Sequence, residues 1–458
     1  MSPTKPLTTV QASVPVAAND RPVHPGPSDK RLKRGRVRRD TISRSALGEV
    51  HASARKIDVV ATLRQAHVGR VPTLLAEKYR RMSVSPFAFF RGSVGLMVAD
   101  FGRLPHTGIH TQLCGDAHLQ NLGSFEAPDG RIVFDINDFD ETIAGPWEWD
   151  VKRMATSIVL AGRESEHGRS GCSLAVETLL ASYRESMATL AKLPILEAAR
   201  LRTHLNQGVT PISAALNQSR RARPLDLLKN YTTRAKDGRI VFSDLPPALR
   251  RASNSERRAV LAALPEYRCT LSPEHRHFFD FYAPIDVAFK IVGTGSVGLR
   301  DWVVLMLGSS DRDPLFLQIK QEVHSAYATI LGASRHDHQG QRVVDGQRRI
   351  QALSDLLLGW TTIAKYQYLV RQLNDHKGSI DLANLRGDGL RSLAEVAGRL
   401  LAHGHARAGD ALEILGYLGN GEKVSDSITR FAHDYVAFVD ADFKVFRAAL
   451  RKGLLPKR

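Results

Sequence analysis

The chain has 458 residues, 43% of them hydrophobic and 24% charged, with a formal net charge of +17. That length can bury a large core and implies two or three lobes, and the composition is ordinary for a soluble globular protein. No apolar run approaches the ~20 residues needed to span a bilayer, Met1 to Asp20 lacks the apolar core of a secretion signal, and three scattered cysteines exclude a disulfide framework and point to a reducing cytoplasm.

Residues 1–50 are rich in Pro, Ser, Thr and Arg without periodicity, which predicts a disordered basic tail. Residues 1–40 carry nine Lys/Arg against three Asp. The run from Lys30 to Arg39 suits a weak contact with nucleic acid or an anionic membrane surface, or simply a solvated tail without a partner. Val59 to Met82 has the spacing of one or two helices. Ser85-Pro86 then turns the chain into an aromatic patch, Phe87-Ala88-Phe89-Phe90-Arg91, whose rings read as core. Arg91 beside them reads as a member of an ion pair or as a phosphate contact.

His106, His110, Cys114 and His118 recur every fourth residue, a zinc-ligand spacing if the segment were helical. Pro105, Gly108 and Gly115 argue against an uninterrupted helix there. Cys114 as a nucleophile has no base fixed beside it by the sequence. Leu113 to Asp140 reads instead as strand, loop and strand, with an Asp129-Gly130 turn. Trp149 to Ala161 and Leu174 to His204 carry helical spacing, and Gly208 to Pro273 is basic, Pro-interrupted and mostly helical or looped.

From Asp286 the texture changes. Val287–Val292, Val303–Leu307 and Leu315–Ile319 are β-rich runs separated by glycine-containing loops and the Asp311-Arg312-Asp313-Pro314 turn. Ile350–Trp360, Leu390–Ala402 and Ile428–Leu450 show helical spacing, and Tyr366–Leu373 suits another strand.

Two segments carry candidate chemistry. In the first, Asp116 is a carboxylate able to orient an attacking hydroxyl. Asn121, five residues on, offers an amide oxygen to a hard cation such as Mg²⁺. A hairpin would return Asp138 to the same ion, with Asp135 and Asp140 as competing candidates. Asp116 and Asp138 also fit as turn formers. In the second, Gly293-x-Gly295-Ser296-x-Gly298 provides backbone that can approach phosphates. A short β-run follows it rather than a helix, so the loop reads as a hairpin lid over phosphates and not as a dinucleotide fingerprint. Lys320 then ends an apolar strand, where an ammonium can hold α- and β-phosphates or protect a sheet edge. Glu322 is the nearest carboxylate to pair with it, although its position is not that of a kinase pairing glutamate.

Gly-Asp-x-His-x-x-Asn, a hairpin, Asp138-Phe139-Asp140 and Gly145-Pro146-Trp147-Glu148-Trp149-Asp150 together resemble the catalytic and metal-binding segments of aminoglycoside and choline phosphotransferases. The resemblance implies Asp116 as catalytic aspartate, Asn121 and Asp138 as metal-binding residues, and Asp150 as a buried brace of the catalytic loop. His118 matches a histidine of that loop, whereas Cys114 stands where those enzymes usually have histidine. Arg81 to Asp442 is also similar to a bacterial family catalogued only as domain of unknown function 2252. That similarity rests on Arg81-Met82-x-x-Ser85-Pro86-Phe87, Phe90-Arg91-Gly92, Cys114-Gly115-Asp116-Ala117-His118, Asp138-Phe139-Asp140-Glu141-Thr142, Gly145-Pro146-Trp147-Glu148-Trp149-Asp150, Val370-Arg371-Gln372-Leu373-x-Asp375-x-Lys377-Gly378 and His405-Ala406-Arg407-x-Gly409-Asp410.

In kinases the glycine loop precedes the catalytic segment, and here it follows it. Catalytic constellations survive changes of chain order, so the expectation is an α+β, protein-kinase-like two-lobed fold in circularly permuted order. Residues 51–285 would hold the N-terminal helices and the large-lobe catalytic segment, 286–375 a small antiparallel nucleotide-binding lobe, and 376–458 helices packing back. The function expected is ATP- and Mg²⁺-dependent phosphoryl transfer to a hydroxyl of a small-molecule or protein acceptor. The alternatives are AMP transfer on the same fold, or a silent nucleotide-binding module docked on nucleic acid by the basic tail.

Overall fold

The computed structural model describes residues 26–50, 55–201, 209–221, 223–291, 295–332, 334–373 and 378–457. Part of the segment expected to be disordered is ordered: Ser28–Thr41 is a helix lying against Ala411–Leu418. Two features reverse the expectation. Arg31 makes a bidentate pair with Asp410, both bonds 2.9 Å, and Gly35 lets the two backbones touch, since a Cβ there would lie 1.9 Å from the Glu413 carbonyl oxygen. Arg39 also donates to the Tyr417 and Gly416 carbonyls at the C-terminal end of the second helix. Residues 1–25 of the expected tail lie outside the described residues.

The segment carrying Asp116, Asn121 and Asp138 is built from short strands. β1 (His110–Leu113) pairs antiparallel with β4 (Ile143–Pro146), while β2 (Leu122–Glu126) and β3 (Ile132–Ile136) form a hairpin. Within that hairpin Ile136 lies opposite Leu122, so the strands return Asn137 to Asn121, whose carbonyl accepts from the Asn137 amide at 2.9 Å. Glu148–Glu164 is a helix buried almost throughout its length, with Arg169–Leu190, Gly389–Ala408 and Glu422–Arg451 packed around it. Phe87, Phe89 and Phe90 join this core, on a helix Pro86–Gly92 capped by the Ser85 hydroxyl.

Between 209 and 273, mostly helical as expected, the chain also forms β5 (Thr232–Arg234), β6 (Ile240–Phe242) and β7 (Leu249–Arg251). The β-rich runs then follow as a meander: β8 (Ala283–Lys290), β9 (Asp301–Leu307) and β10 (Pro314–Glu322). A one-turn helix, Ala328–Leu331, and the helix Gln339–Ile350 come next, then β11 (Gly359–Ile363) and β12 (Tyr366–Gln372). These strands form an antiparallel sheet in the order β11-β12-β10-β9-β8-β7, and β13 (Gly378–Ser379) pairs with β2 in the other body of the fold. Alternation along β10 puts Leu315, Leu317 and Ile319 in one apolar cluster with Tyr267 and Trp302. Phe316, Gln318 and Lys320 fall on the opposite face.

The helix expected over Ile350–Trp360 is not there. The helical turn ends at Ile350, and Asp355 uses its two carboxylate oxygens on the amides of Leu357 and Gln372. A side chain that satisfies nearby backbone donors in this way stabilises a loop over a helix. Among the described residues no helix is long and apolar enough to cross a membrane.

The close crossing at Gly35 makes a specific demand. Gly35→Val is expected to undock the Ser28–Thr41 helix at a cost of about 1–3 kcal/mol, seen as rapid tryptic cleavage between Lys30 and Arg39 while the remainder resists. Unchanged protease resistance would contradict the docking described above.

Candidate functional site

A cleft of about 610 Å³ separates the polar face of the sheet from the β2–β3 hairpin, with Asn137, Asp138, Ser296, Gln318, Lys320 and Arg371 among its lining residues. Lys320 is only 4% exposed, and burial alone would strip its proton. The charges of Asp138 and Asp140 outweigh that penalty and hold the ammonium above its usual range. Its Nζ donates to both carboxylate oxygens of Asp140, one of them at 2.5 Å, and lies 3.8 Å from Asp138. The Ser296 hydroxyl donates to the same Asp140 at 3.0 Å. The two segments singled out in the sequence therefore meet on one carboxylate, 156 positions from the serine and 180 from the lysine.

The two aspartates of Asp138-Phe139-Asp140 diverge. Burial and the neighbouring Asp140 charge raise Asp138. Burial opposes ionisation of Asp140 as well, but Lys320 overrides it and drives that carboxyl far below its usual range. Glu322 is not the lysine's hydrogen-bonded partner. It is buried beside the pair, with burial and the Asp140 charge pushing its carboxyl well up, and Gln339–Ile350 contains no glutamate to replace it.

Asp116 lies at the start of the loop joining β1 to β2. Gly115 precedes it at φ +86°, where a Cβ would strike the Glu141 carbonyl at 2.2 Å, so the turn requires glycine. Asp150, in the first turn of Glu148–Glu164, accepts from the amides of Cys114 (2.8 Å) and Gly115 (3.0 Å). Behind it stand His405 Nε2 at 3.3 Å and Tyr183, whose hydroxyl is 2.9 Å from His405 Nδ1. One helical turn beyond Asp150, Arg153 reaches back to Asp116, Nε to Oδ1 at 2.6 Å. Burial nevertheless leaves the Asp116 carboxyl raised against the opposing Arg153 charge. The Asn121 side chain donates to the Asp116 carbonyl at 2.6 Å and so ties the two ends of the loop. His118 is buried with Nδ1 unpartnered, and desolvation holds it well below the usual histidine range.

The glycine loop lies between β8 and β9, and Gly293 falls outside the described residues, as do Asp375 and Lys377. The backbone carbonyls of the remainder are held by donors from the segment Arg70–Lys78. Lys78 Nζ donates to the Gly295 carbonyl at 3.0 Å, Arg70 Nη1 to the Val297 carbonyl at 2.5 Å, and the Val71 amide to the Gly298 carbonyl at 2.6 Å. Gly298 takes φ +96°, open to glycine without strain. Sequence reasoning missed this clamp because the lysine and arginine that form it sit in no motif. It missed Arg153 too, although spacing three residues after Asp150 on a helix was a usable signal.

Two other expectations are settled by geometry. His106 packs on Trp149, His110 is exposed at a strand end and His118 is buried beside Phe87. Among the described residues no group of three or more His, Cys, Asp or Glu converges as a metal cluster. Cys114 is 1% exposed with its thiol pushed far up by burial, the reverse of a nucleophile's environment.

Residues 70–449 match the model of a family described as an uncharacterised protein conserved in bacteria, DUF2252, and the chain belongs to that family. No curated protein and no solved structure matches it.

The Lys320 pair makes a test of the electrostatics. Lys320→Met leaves Asp138 and Asp140 facing each other unmatched, at an expected cost of about 3–5 kcal/mol near neutral pH. In the wild type the depressed Asp140 contributes stability above its unfolded pKa, and this is lost as pH falls through the folded one. In the variant Asp140 becomes a raised carboxyl, whose penalty disappears on protonation. Urea unfolding should therefore show the gap between the two proteins closing on acidification toward pH ~4, and a gap independent of pH would refute the pairing.

Proposed function

We propose that this chain is a phosphotransferase of protein-kinase-like architecture that moves the terminal phosphoryl group of ATP, with Mg²⁺, onto a hydroxyl. The observation that carries the reading is the cleft itself: Lys320 and Asp138 line it from opposite sides, and Ser296 of the glycine loop reaches into it. Its volume suits a ligand of nucleotide size. A three-stranded meander with a glycine loop in its first turn, a lysine on its third strand and then a helix is the plan of a kinase small lobe. That lobe follows the catalytic segment in the chain, which makes the order circularly permuted.

The donors fit the ion. Asp138 and Asn121 are hard oxygen ligands adjoining one hairpin, and a pair suits Mg²⁺, which keeps waters and phosphate oxygens as its other ligands. When bound, the ion would neutralise charge on the phosphates. Lys320, now on Asp138 and Asp140, is placed to exchange carboxylate for phosphate oxygen. Asp116, raised but still charge-paired to Arg153, would orient the acceptor hydroxyl and take its proton. The acceptor oxygen–phosphorus bond forms, the bond to the bridging oxygen breaks, and ADP leaves with that electron pair.

Asp116→Ala is expected to lower phosphoryl transfer about 10²–10⁴-fold while leaving ATP affinity near wild type. The measurements are release of labelled phosphate, or its transfer to the protein, alongside titration calorimetry. Full turnover in Asp116→Ala, or unaltered ATP affinity in Lys320→Ala, would sink the proposal.

A further inference from the structure

Arg91 is a cation whose buried Nε has no hydrogen-bond partner. It lies in the last turn of the short helix Pro86–Gly92, whose phenylalanines are locked in the core, so its backbone is fixed. Its carbonyl oxygen would lie 3.7 Å from a Cβ on Gly295, which places it against the glycine loop. The buried Lys78 side chain ties the same two elements, its Nζ donating to the carbonyls of Gly92 and Gly295.

Three carboxylates are near enough to act on the Arg91 guanidinium: Asp116, Asp138 and Glu164. Each is committed elsewhere. Asp116 is paired with Arg153, Asp138 faces Lys320, and Glu164 accepts from the Phe87 amide at 3.0 Å. Among the described residues Arg91 has neither a salt bridge nor a hydrogen bond through its side chain. Nε is buried without a partner, and the guanidinium has only a distant face-on contact with Phe87, 5.9 Å from the ring centre. The ion pair expected for it from the sequence is absent. An arginine fork held at a buried site, its donors unused, is a receptor for an anion with several oxygens.

Its neighbours say which anion. Asp116 is where the acceptor hydroxyl would lie, and Asp138 is where the metal-bound phosphates would lie. Arg91 is within the field of both and borders the loop that would cover the phosphates. We propose, resting on the phosphotransferase reading above, that Arg91 receives the terminal phosphoryl group of the nucleotide and is a catalytic residue supplied by the N-terminal helices. ADP lacks the group that Arg91 would hold. Arg91 would thus make the site prefer the triphosphate and would stabilise charge on the phosphoryl group during transfer.

The test is titration calorimetry of the full chain with ATP and with ADP, each in excess Mg²⁺ and again in EDTA, for wild type, Arg91→Gln, Arg91→Lys and Lys320→Ala. Arg91→Gln is expected to weaken ATP about 10- to 100-fold in both conditions and to leave ADP within about twofold. Arg91→Lys, which keeps the charge and the stem over Phe87, should restore part of the ATP preference and guards against a folding defect in the glutamine variant. Equal weakening of both nucleotides, or no effect on either, overturns the assignment, and the second result would point to an anion on the acceptor instead. Lys320→Ala separates the two levels of inference. If it leaves ATP and ADP binding intact, the nucleotide site itself is wrong. If it abolishes both while Arg91→Gln changes neither, only the role given to Arg91 fails.

Discussion

A buried ammonium holds the two halves of this molecule in register. Taking Lys320 out of water costs several kcal/mol, and one carboxylate about 4 Å away returns roughly 4 kcal/mol at an effective dielectric near 20. A single partner would therefore about break even. The site uses two, Asp138 and Asp140, and adds the Ser296 hydroxyl to the oxygen that Lys320 also contacts. Since Lys320 rides on the sheet and the aspartates follow the β3 strand of the other body, the pair works only when the two are seated together. The electrostatic requirement of one side chain becomes a constraint on the cleft's geometry.

For the loop that carries Asp116 the controlling element is the helix Glu148–Glu164. It supplies both the brace and the counter-charge of the loop carrying Asp116, because Asp150 and Arg153 are neighbours on one face. Asp150 is fully buried yet satisfied, with two backbone amides and His405 around it. Buried carboxylates with this many donors rigidify what they hold. Asp116 is thus fixed relative to a helix that is itself enclosed by three others. Its position comes from that rigidity, whereas its raised affinity for a proton comes from burial.

How much of this could be read from the chain depended on the range of the interactions. The meander after Asp286 and the hairpin between Asn121 and Asp138 were legible because alternation and turn residues are local signals. The long helices Gly389–Ala408 and Glu422–Arg451 were legible from their spacing. The loop around Asp355 was mistaken for helix because its leucines repeat at helical spacing, while the two amides that Asp355 captures, one of them on a distant strand, leave no periodic trace. The basic helix at Ser28–Thr41 was hidden for a related reason. Its order depends on Asp410 and on glycine-to-backbone contact some 380 residues away, and its own composition argues for disorder. In the site, Asp116, Asn121, Asp138 and Lys320 carried motif spacing. Asp140 was recognised only as a competitor, since strand alternation puts it on the same side as Asp138 and only the distance to Lys320 separates them.

The segment that holds the glycine loop comes from far away in the chain. Residues 70–78 lie ahead of the β1–β4 segment in sequence, yet they grip the loop through the carbonyls of Gly295, Val297 and Gly298. These three hydrogen bonds tie the loop to a segment anchored in the main core by Tyr79, Met82 and the phenylalanines. Each such bond contributes about 0.5–1.5 kcal/mol net, so lifting the loop requires breaking several together. Lys78, which burial pushes well below its usual range, serves as a donor to the carbonyls of Gly92 and Gly295, so the positive charge where the loop meets Asp116 comes from Arg91. The position of the loop is thereby set by side chains more than 200 residues earlier in the chain.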